Sequence, residues 1–287
     1  MKRRTFVRNG TLFLAAGASV PDLLAAGADK PLARIGIVTD LHHAEKPARG
    51  SRHYRESFGK LEEAGRAFAK AAPEHVVELG DFIDSADSIP AEKRHLRSVQ
   101  KKFTELPGIK HHVLGNHCVH TLTKREFLDE VERPRSYYSF DHAGHHFVVL
   151  DSCFRGDGVA YQRKNFVWTD PNVPAEELEW LAADLKSAKT PTIILAHQRL
   201  DVTDNHGVKN AAAVRKILEN SQRVRAVFQG HSHQNDHKEI NGIHYTTIVA
   251  MVEGTGAENN GYAILNILGN GGLSLTGFRK QVDRKLS

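Results

Sequence analysis

The sequence predicts an α/β fold, a four-layer α-β-β-α sandwich of two mixed β-sheets flanked by helices. Three observations predict it. Through the first half, short apolar runs alternate with segments of helical periodicity. The tail, from residue 236 on, contains only strand-like runs separated by Asn-Gly and Gly-rich turns. No repeat, low-complexity tract or Pro/Gly/Ser-rich linker divides the chain, so the sandwich is expected to be a single domain.

The elements follow in order. The run ARIGIVTD at 33–40 reads as a buried strand. Tyr54, Phe58, Leu61 and Phe68 recur at helical spacing, which predicts a core-facing helix over 54–71, stopped by Pro73. HVVELGD (75–81) is a strand, 90–106 a charged amphipathic helix, KHHVLG (110–115) a strand and 124–131 a short helix. Two runs, 136–140 and 145–151, pair around Ala143-Gly144. The segment 174–188 opens on Pro with acids in its first turn, as helices do. Strand 190–197, helix 208–220 and strand 224–231 follow. Asn241-Gly242 predicts a tight hairpin between 236–240 and 243–250, and strands 262–268 and 273–278 flank a Gly-rich turn.

Five polar clusters sit at the carboxyl ends of these strands: Asp40-Leu41-His42, Gly80-Asp81-Phe82-Ile83-Asp84, Gly115-Asn116-His117, Ala196-His197 and Gly230-His231-Ser232-His233. Ligands of open α/β sheets collect outside strand carboxyl ends. The pairs Asp40/His42 and His231/His233 are spaced i, i+2, which on extended backbone puts both side chains on one side. Mixed oxygen and imidazole donors suit manganese, iron or zinc. Seven donors exceed what one catalytic ion with open positions needs, whereas two ions sharing a carboxylate would use them. The glycines before the ligands are expected to make tight turns that bring backbone close to an anion.

The order D-x-H, GDxxD, GNH, H, GHxH resembles that of the calcineurin-like metallophosphoesterases, across the whole chain after the first 28 residues. The resemblance implies that Asp40, His42, Asp81 and His233 hold one metal. It implies that Asp81, Asn116, His197 and His231 hold a second, with Asp81 bridging. Two divalent or trivalent ions, Mn, Fe or Zn, are the cofactors it implies, with a metal-bridging hydroxide as nucleophile. His117 would donate to the phosphoryl oxygen or protonate the leaving group, and Asp84 would fix a loop or a ligand imidazole. Purple acid phosphatases carry Tyr three residues after the bridging Asp. Asp84 stands there instead, which argues against a tyrosinate-iron site.

The segments RHYRES, YYSF…GHHFVVLDS and GHSHQND…GIHYTTIVAMVEG resemble the manganese-dependent ADP-ribose/CDP-alcohol diphosphatase branch. The reaction expected is hydrolysis of a phosphodiester or nucleotide diphosphate, a small-molecule phosphoester substrate. A phosphomonoesterase of alkaline-phosphatase type and a non-catalytic metal-binding relic are the alternatives. Arg52 and Arg55, just past the first ligand pair, could grip phosphate or begin a solvated helix. His206 and His237 could line the cleft; His43 is expected at solvent or behind a ligand, and His111, His112, His145 and His146 as surface or satisfied core residues. Cys118 stands where the family usually has Asp or Glu. It reads as a small buried residue, with pairing to Cys153 left open.

Residues 1–28 have a basic start, an apolar run too short to span a bilayer and a small-residue site at Ala26-Gly27-Ala28. Arg3-Arg4-Thr5-Phe6-Val7-Arg8 resembles a twin-arginine export signal, the alternatives being an ordinary secretory signal or an uncleaved anchor. That implies a partner, the twin-arginine translocation machinery, and a periplasmic or secreted bacterial protein made of residues 29–287, with no transmembrane segment. Removing the signal takes four basic residues and one acid, lowering the formal charge from +5 to +2. So little charge leaves no electrostatic case for specific nucleic-acid binding.

Overall fold

A computed structural model describes residues 30–286, so the export signal expected at 1–28 lies outside the described residues. One sheet contains β1 (Pro31–Val38), β2 (His75–Glu78), β3 (Ile109–His112), β10 (Gly261–Leu268), β11 (Leu273–Arg279) and β12 (Arg284–Leu286), in the order β12-β11-β10-β1-β2-β3. The other contains β4 (Tyr138–His142), β5 (His145–Val149), β6 (Thr192–Leu195), β7 (Val224–Gln229), β8 (Asp236–Ile240) and β9 (Ile243–Thr247), in the order β4-β5-β6-β7-β9-β8. Both are mixed. β1, β2 and β3 run parallel while β10, β11 and β12 are antiparallel; β5, β6, β7 and β9 run parallel between antiparallel edges β4 and β8.

Alternation along the strands divides the side chains between layers. Ile35, Ile37 and Val77 of the first sheet meet Phe147, Ile193 and Phe228 of the second in the central core. Val38 and Val76 point outward, where α1 (Ser57–Ala71) and α2 (Ile89–Thr104) cover them with Leu61, Phe68, Leu96 and Phe103. A short helix, α3 (Lys124–Glu130), closes that layer behind a Thr123/Glu126 capping box. On the other side α4 (Ala175–Ser187) and α5 (Ala211–Ser221) lay Leu181, Leu185, Val214 and Leu218 over Val148, Ile194 and Val227. The result is the four-layer α-β-β-α sandwich. Emptying one core ring, as in Phe68→Ala, would cost about 3–5 kcal/mol.

Both predicted two-residue hairpins form, at Ala143-Gly144 (φ 47° and 73°) and Asn241-Gly242 (φ 51° and 77°). Two consecutive positive φ angles give the turn whose twist matches the flanking strands. The strand ends differ from the sequence reading. β1 stops at Val38 rather than Asp40, β2 at Glu78 rather than Asp81, β3 at His112, β6 at Leu195 and β7 at Gln229. Each polar cluster therefore lies just past its strand. β12 and the 3₁₀ turns His117–Val119 and Ala257–Asn259 carry no periodic signal in the sequence, while Tyr54–Glu56, expected as the start of α1, is 3₁₀ instead. Among the described residues, no helix is long and apolar enough to cross a membrane.

Candidate metal centre

Beyond the strand ends the backbone continues to pair. Asp40 N donates to Gly80 O (3.0 Å), His42 N to Asp81 O (2.8 Å) and His43 N to Phe82 O (3.1 Å), locking the loop after β1 to the loop after β2. On the other flank Met251 N and Val252 N donate to Thr39 O and Asp40 O (3.1 and 3.0 Å). Gly230 N reaches His197 O (3.0 Å) across the second sheet. These bonds tie the first cluster to the second and the fourth to the fifth.

One local expectation needs correcting. Asp40, His42, Asp81, His231 and His233 are left-handed, with φ of 51°, 45°, 54°, 69° and 60°. The i, i+2 pairs thus converge through two left-handed turns, not by extended alternation. Non-glycine residues in this region are uncommon and cost of order 1–3 kcal/mol where strained, though Asp and His tolerate it better than most. The motif glycines, for their part, make room for side chains of the site. At Gly80 (φ +105°) an added Cβ would collide with the His197 imidazole. Likewise Gly115 leaves space for Asp81, and Gly230 for Thr39 and Asp40.

The donors form two sets that meet at one carboxylate. Asp40 Oδ1 lies 3.3 Å from His233 Nε2 and 3.7 Å from His42 Nε2, and those two ring nitrogens are 3.2 Å apart. Asp81 Oδ2 lies 3.5 Å from His42 Nε2 and 3.2 Å from His197 Nε2, so one oxygen faces a histidine of each set. The ligand atoms of Asp81, His197 and His231 lie within 4.8 Å of one another, as do those of Asp40, His42 and His233. Asp40 Oδ1, Asn116 Oδ1, His197 Nε2 and His231 Nε2 are buried without a hydrogen-bond partner. Buried polar atoms are rarely left so. Four of them aimed at one place, on side chains that bind cations, fit a metal centre and nothing apolar. His117 is also within 4.8 Å of His42 and Asp81, so geometry offers it as a ligand as well as an acid.

The surroundings fix which ring nitrogen faces inward. His42 turns Nδ1 to Asp84 Oδ2 (3.1 Å), His197 turns Nδ1 to Leu79 O (2.9 Å), and His233 turns Nδ1 to Glu253 Oε1 (2.5 Å). Asp84 Oδ1 also lies 3.3 Å from His117 Nδ1 and takes the Lys46 ammonium at 2.7 Å. Asp81 Oδ1 accepts His117 N (2.8 Å), and Asp40 Oδ2 accepts Thr39 Oγ1 (2.7 Å) and His231 N (3.1 Å). Burial alone would raise the carboxyls of Asp40 and Asp81. Imidazoles outweigh it, His233 and His42 at Asp40 and His197, His117 and His42 at Asp81, and hold both well below the usual carboxylate range. Asp84 is held low in the same way by His117 and His42. Burial disfavours charge on His233, yet Asp40 and Glu253 beside it raise it to about 9.

The structure brings Asp40, His42, Asp81, Asp84, Asn116, His117, His197, His231 and His233 into one site. Arg52 and His206 line a cavity of about 370 Å³ above it. Arg55 does not reach it and pairs with Glu45 at the surface (3.4 Å). His237, on β8, bonds Thr246 Oγ1 of β9 (3.0 Å), outside the cavity lining. His43 is buried, stacked on Phe58 with ring centroids 4.1 Å apart, rather than at solvent. His111, His112, His145 and His146 are all buried. Cys118 and Cys153 are buried free thiols. Burial pushes the Cys118 thiol up, with Glu78 and Asp81 adding to it, so a reactive thiolate is disfavoured.

Sequence reasoning missed Glu253, Lys60, His120, Phe166 and Trp168. Glu253 holds His233 from a loop that Lys60 ties down, its buried ammonium donating to Met251 O, Glu253 O and Gly254 O (2.7–2.8 Å). His120, Phe166 and Trp168 line the cavity. A lysine inside a predicted helix and aromatics in a loop carry no signal of such roles; only the GIHYTTIVAMVEG resemblance touched Glu253.

Residues 33–235 match the calcineurin-like phosphoesterase family. Two manganese-dependent ADP-ribose/CDP-alcohol diphosphatases, from Oryza sativa subsp. japonica and Arabidopsis thaliana, are 25% and 23% identical over 282 residues. Those matches cover 80% of this chain and 87% and 89% of the relatives. A dimetal phosphatase from Danio rerio superposes with a TM-score of 0.79 at 19% identity, over 90% of this chain and 99% of that one. A purple acid phosphatase from yellow lupin (Lupinus luteus) seeds gives 0.61 at 13%, over 86% of this chain and 51% of its own. The sandwich is thus shared even where little sequence is. With the match running from the middle of β1 through the last pair of site histidines, this chain belongs to the calcineurin-like phosphoesterase family and is a metal-dependent phosphoester hydrolase.

Proposed function

We propose that the chain hydrolyses a phosphodiester or a nucleotide diphosphate at a two-cation centre. The observation that carries the reading is Asp81 Oδ2 facing His42 and His197, one from each donor set (3.5 and 3.2 Å). Asp40, His42, Asp81 and His233 would hold one cation, and Asp81, Asn116, His197 and His231 the other. Bound there, such ions supply Lewis acidity toward phosphoryl oxygens and an activated water.

The remaining work falls to the protein's own groups. With Nδ1 turned to Asp84, His117 has Nε2 left to donate a proton to the leaving oxygen. Arg52 lines the cavity and offers its planar fork to a phosphate, steadied by Glu253 at 4.0 Å. Seven donors held by a surrounding shell of hydrogen bonds argue against a non-catalytic relic, which has no need of that shell. The choice of a diphosphate draws on the likeness to relatives named as ADP-ribose/CDP-alcohol diphosphatases, with manganese the first metal to try. Export by the twin-arginine route is part of the same reading and rests on the sequence of residues 1–28 alone.

The test is metal content of the purified protein, then turnover of ADP-ribose, a CDP-alcohol and bis-(p-nitrophenyl) phosphate against p-nitrophenyl phosphate. Faster cleavage of the diphosphates and diester supports the reading. Much faster cleavage of the monoester assigns a phosphomonoesterase instead. Less than about one metal per chain, with no activity after loading Mn, Fe or Zn, assigns the relic.

A further inference from the structure

The cavity at the centre is lined by both polar and aromatic side chains. Buried Asp81 and Asn116 line it together with Arg52, and so do Phe166 and Trp168, the latter largely exposed. The two rings come from one loop at i, i+2 and reach different parts of the site. Phe166 lies 6.1 Å from the His117 ring and 5.4 Å from His120, whereas Trp168 lies 6.1 Å from His231 and 5.4 Å from His206. Trp168 is 45% exposed, and Val167 between them 56%. Apolar surface gathered at the mouth of a polar cleft marks a place where a ligand covers it.

The loop is held rather than loose. The fully buried Tyr161 donates its hydroxyl to Val167 O (3.0 Å). Lys164 N donates to His120 O (2.6 Å), and the Arg163 guanidinium donates to Thr121 O (3.0 Å) and Glu126 (2.8 Å). Arg163 and Lys164 are both left-handed, with φ of 51° and 67°. Long basic side chains are poor choices for that conformation, so the bonds on either side must impose it. A loop so fixed keeps Trp168 at the cavity lining, where its ring meets those of His206 and His231 at tilts of 52° and 55° and leaves 45% of the residue's surface open. A lone phosphate would also leave most of the 370 Å³ cavity unfilled, since that volume lies within the range of organic ligand pockets.

We propose that Phe166 and Trp168 form a stacking subsite for a planar aromatic group of the substrate, the base of a nucleotide whose phosphates lie over the centre. The inference rests on the diphosphate reading and adds the residues that select for a nucleoside. Stacking suits this task because every base presents a π-face to an indole, whatever its hydrogen-bonding edge.

The chain has two tryptophans, Trp168 and Trp180. Trp180 sits on α4 against Tyr137, so Trp180→Phe leaves Trp168 as the only indole. In that background AMP is expected to quench the metal-loaded enzyme's tryptophan fluorescence saturably, and ribose 5-phosphate to leave it unchanged. Trp168→Ala is expected to lower kcat/KM for ADP-ribose relative to a dialkyl diphosphate by about 10–100-fold, and Trp168→Phe to restore most of that ratio. No quenching by AMP, or an unchanged ratio, overturns the subsite even if ADP-ribose is hydrolysed. Saturable quenching by AMP in an enzyme that hydrolyses no diphosphate keeps the subsite and overturns the substrate reading on which it was built.

Discussion

Asp84 offers the sharpest perturbation of the centre, because it touches several groups and replaces none of the seven donors. Its Oδ2 holds His42 Nδ1 at 3.1 Å, its Oδ1 lies 3.3 Å from His117 Nδ1, and Lys46 and Ser85 N approach Oδ1 at 2.7 and 2.6 Å. Asp84→Asn keeps the shape but removes the charge and turns one acceptor oxygen into a donor. Whichever way the amide sits, Nδ1–H of either His42 or His117 faces an N–H, and that imidazole must change tautomer or rotate. Removing the partner of a ligating imidazole lowers metal affinity or activity by about 10–100-fold, equivalent to about 1.4–2.7 kcal/mol. The assay is titration of Mn²⁺ into chelator-stripped wild type and variant, followed by turnover at saturating Mn²⁺. If the amide faces His42, affinity falls; if it faces His117, turnover falls. An Asp84→Asn protein within about twofold of wild type in both refutes the claim that Asp84 positions these rings.

Three further outcomes follow from the same geometry. Gly80→Ala puts a methyl into the His197 imidazole at φ +105°, and should cost about 1–3 kcal/mol of stability while displacing that ligand. Unchanged melting and metal content would show that the site does not need the close approach. Asp81→Asn should release metal from both sets, whereas His117→Ala should keep metal near the wild-type content and lose about 10²–10⁴ in turnover. A His117→Ala protein stripped of metal would make that residue a ligand. Acid stability should depend on His112, which is fully buried. Burial, with Arg133 adding, pushes its imidazole from 6.5 to about 3. The unfolded chain then binds the proton first, so its contribution to native stability is full above pH 6.5 and falls as pH drops from 6.5 toward 3. At pH 4.5 the loss is about 2–3 kcal/mol. Denaturant unfolding at pH 7 and 4.5 should therefore show a smaller pH difference in His112→Gln than in wild type, and an equal difference would place the acid sensitivity elsewhere.

The layers were legible in the sequence because burial imposes period. Ile35 and Ile37 face one core while Val38 faces the other, and Leu61 and Phe68 recur at helical spacing; no tertiary knowledge is needed to see either. The clusters were legible too, since Asp, Asn and His at successive strand ends have few other reasons to recur. What could not be read is what holds them. The partners of the site histidines come from distant parts of the chain, Leu79 O for His197 and Glu253 for His233, and no local pattern marks a carboxylate that meets an imidazole twenty residues away. Arg52 and Arg55 show the same limit. They stand three residues apart in a loop entering a helix, yet one lines the cavity and the other pairs with Glu45 outside it.

The deeper misreading concerned the backbone. Extended alternation explains why i, i+2 residues share a face, and it gives the right residues at Asp40/His42 and His231/His233 for the wrong reason. All four are left-handed, as is Asp81. Sequence reading usually detects positive φ through glycine, and here glycine stands beside the strained positions, where it makes space for side chains. The strain falls on Asp and His, residues that tolerate the conformation and whose side chains the centre requires. Strain at five residues can persist only where the surroundings over-determine it. The ladders from Asp40 to Gly80, His42 to Asp81 and Val252 to Asp40, with the hydrogen bonds behind each imidazole, are that surrounding. The direction of the site side chains is therefore set by loops pinned on both flanks, and that is why Asp84 and Glu253, which stand behind the imidazoles and outside the proposed donor sets, should matter nearly as much as the residues they hold.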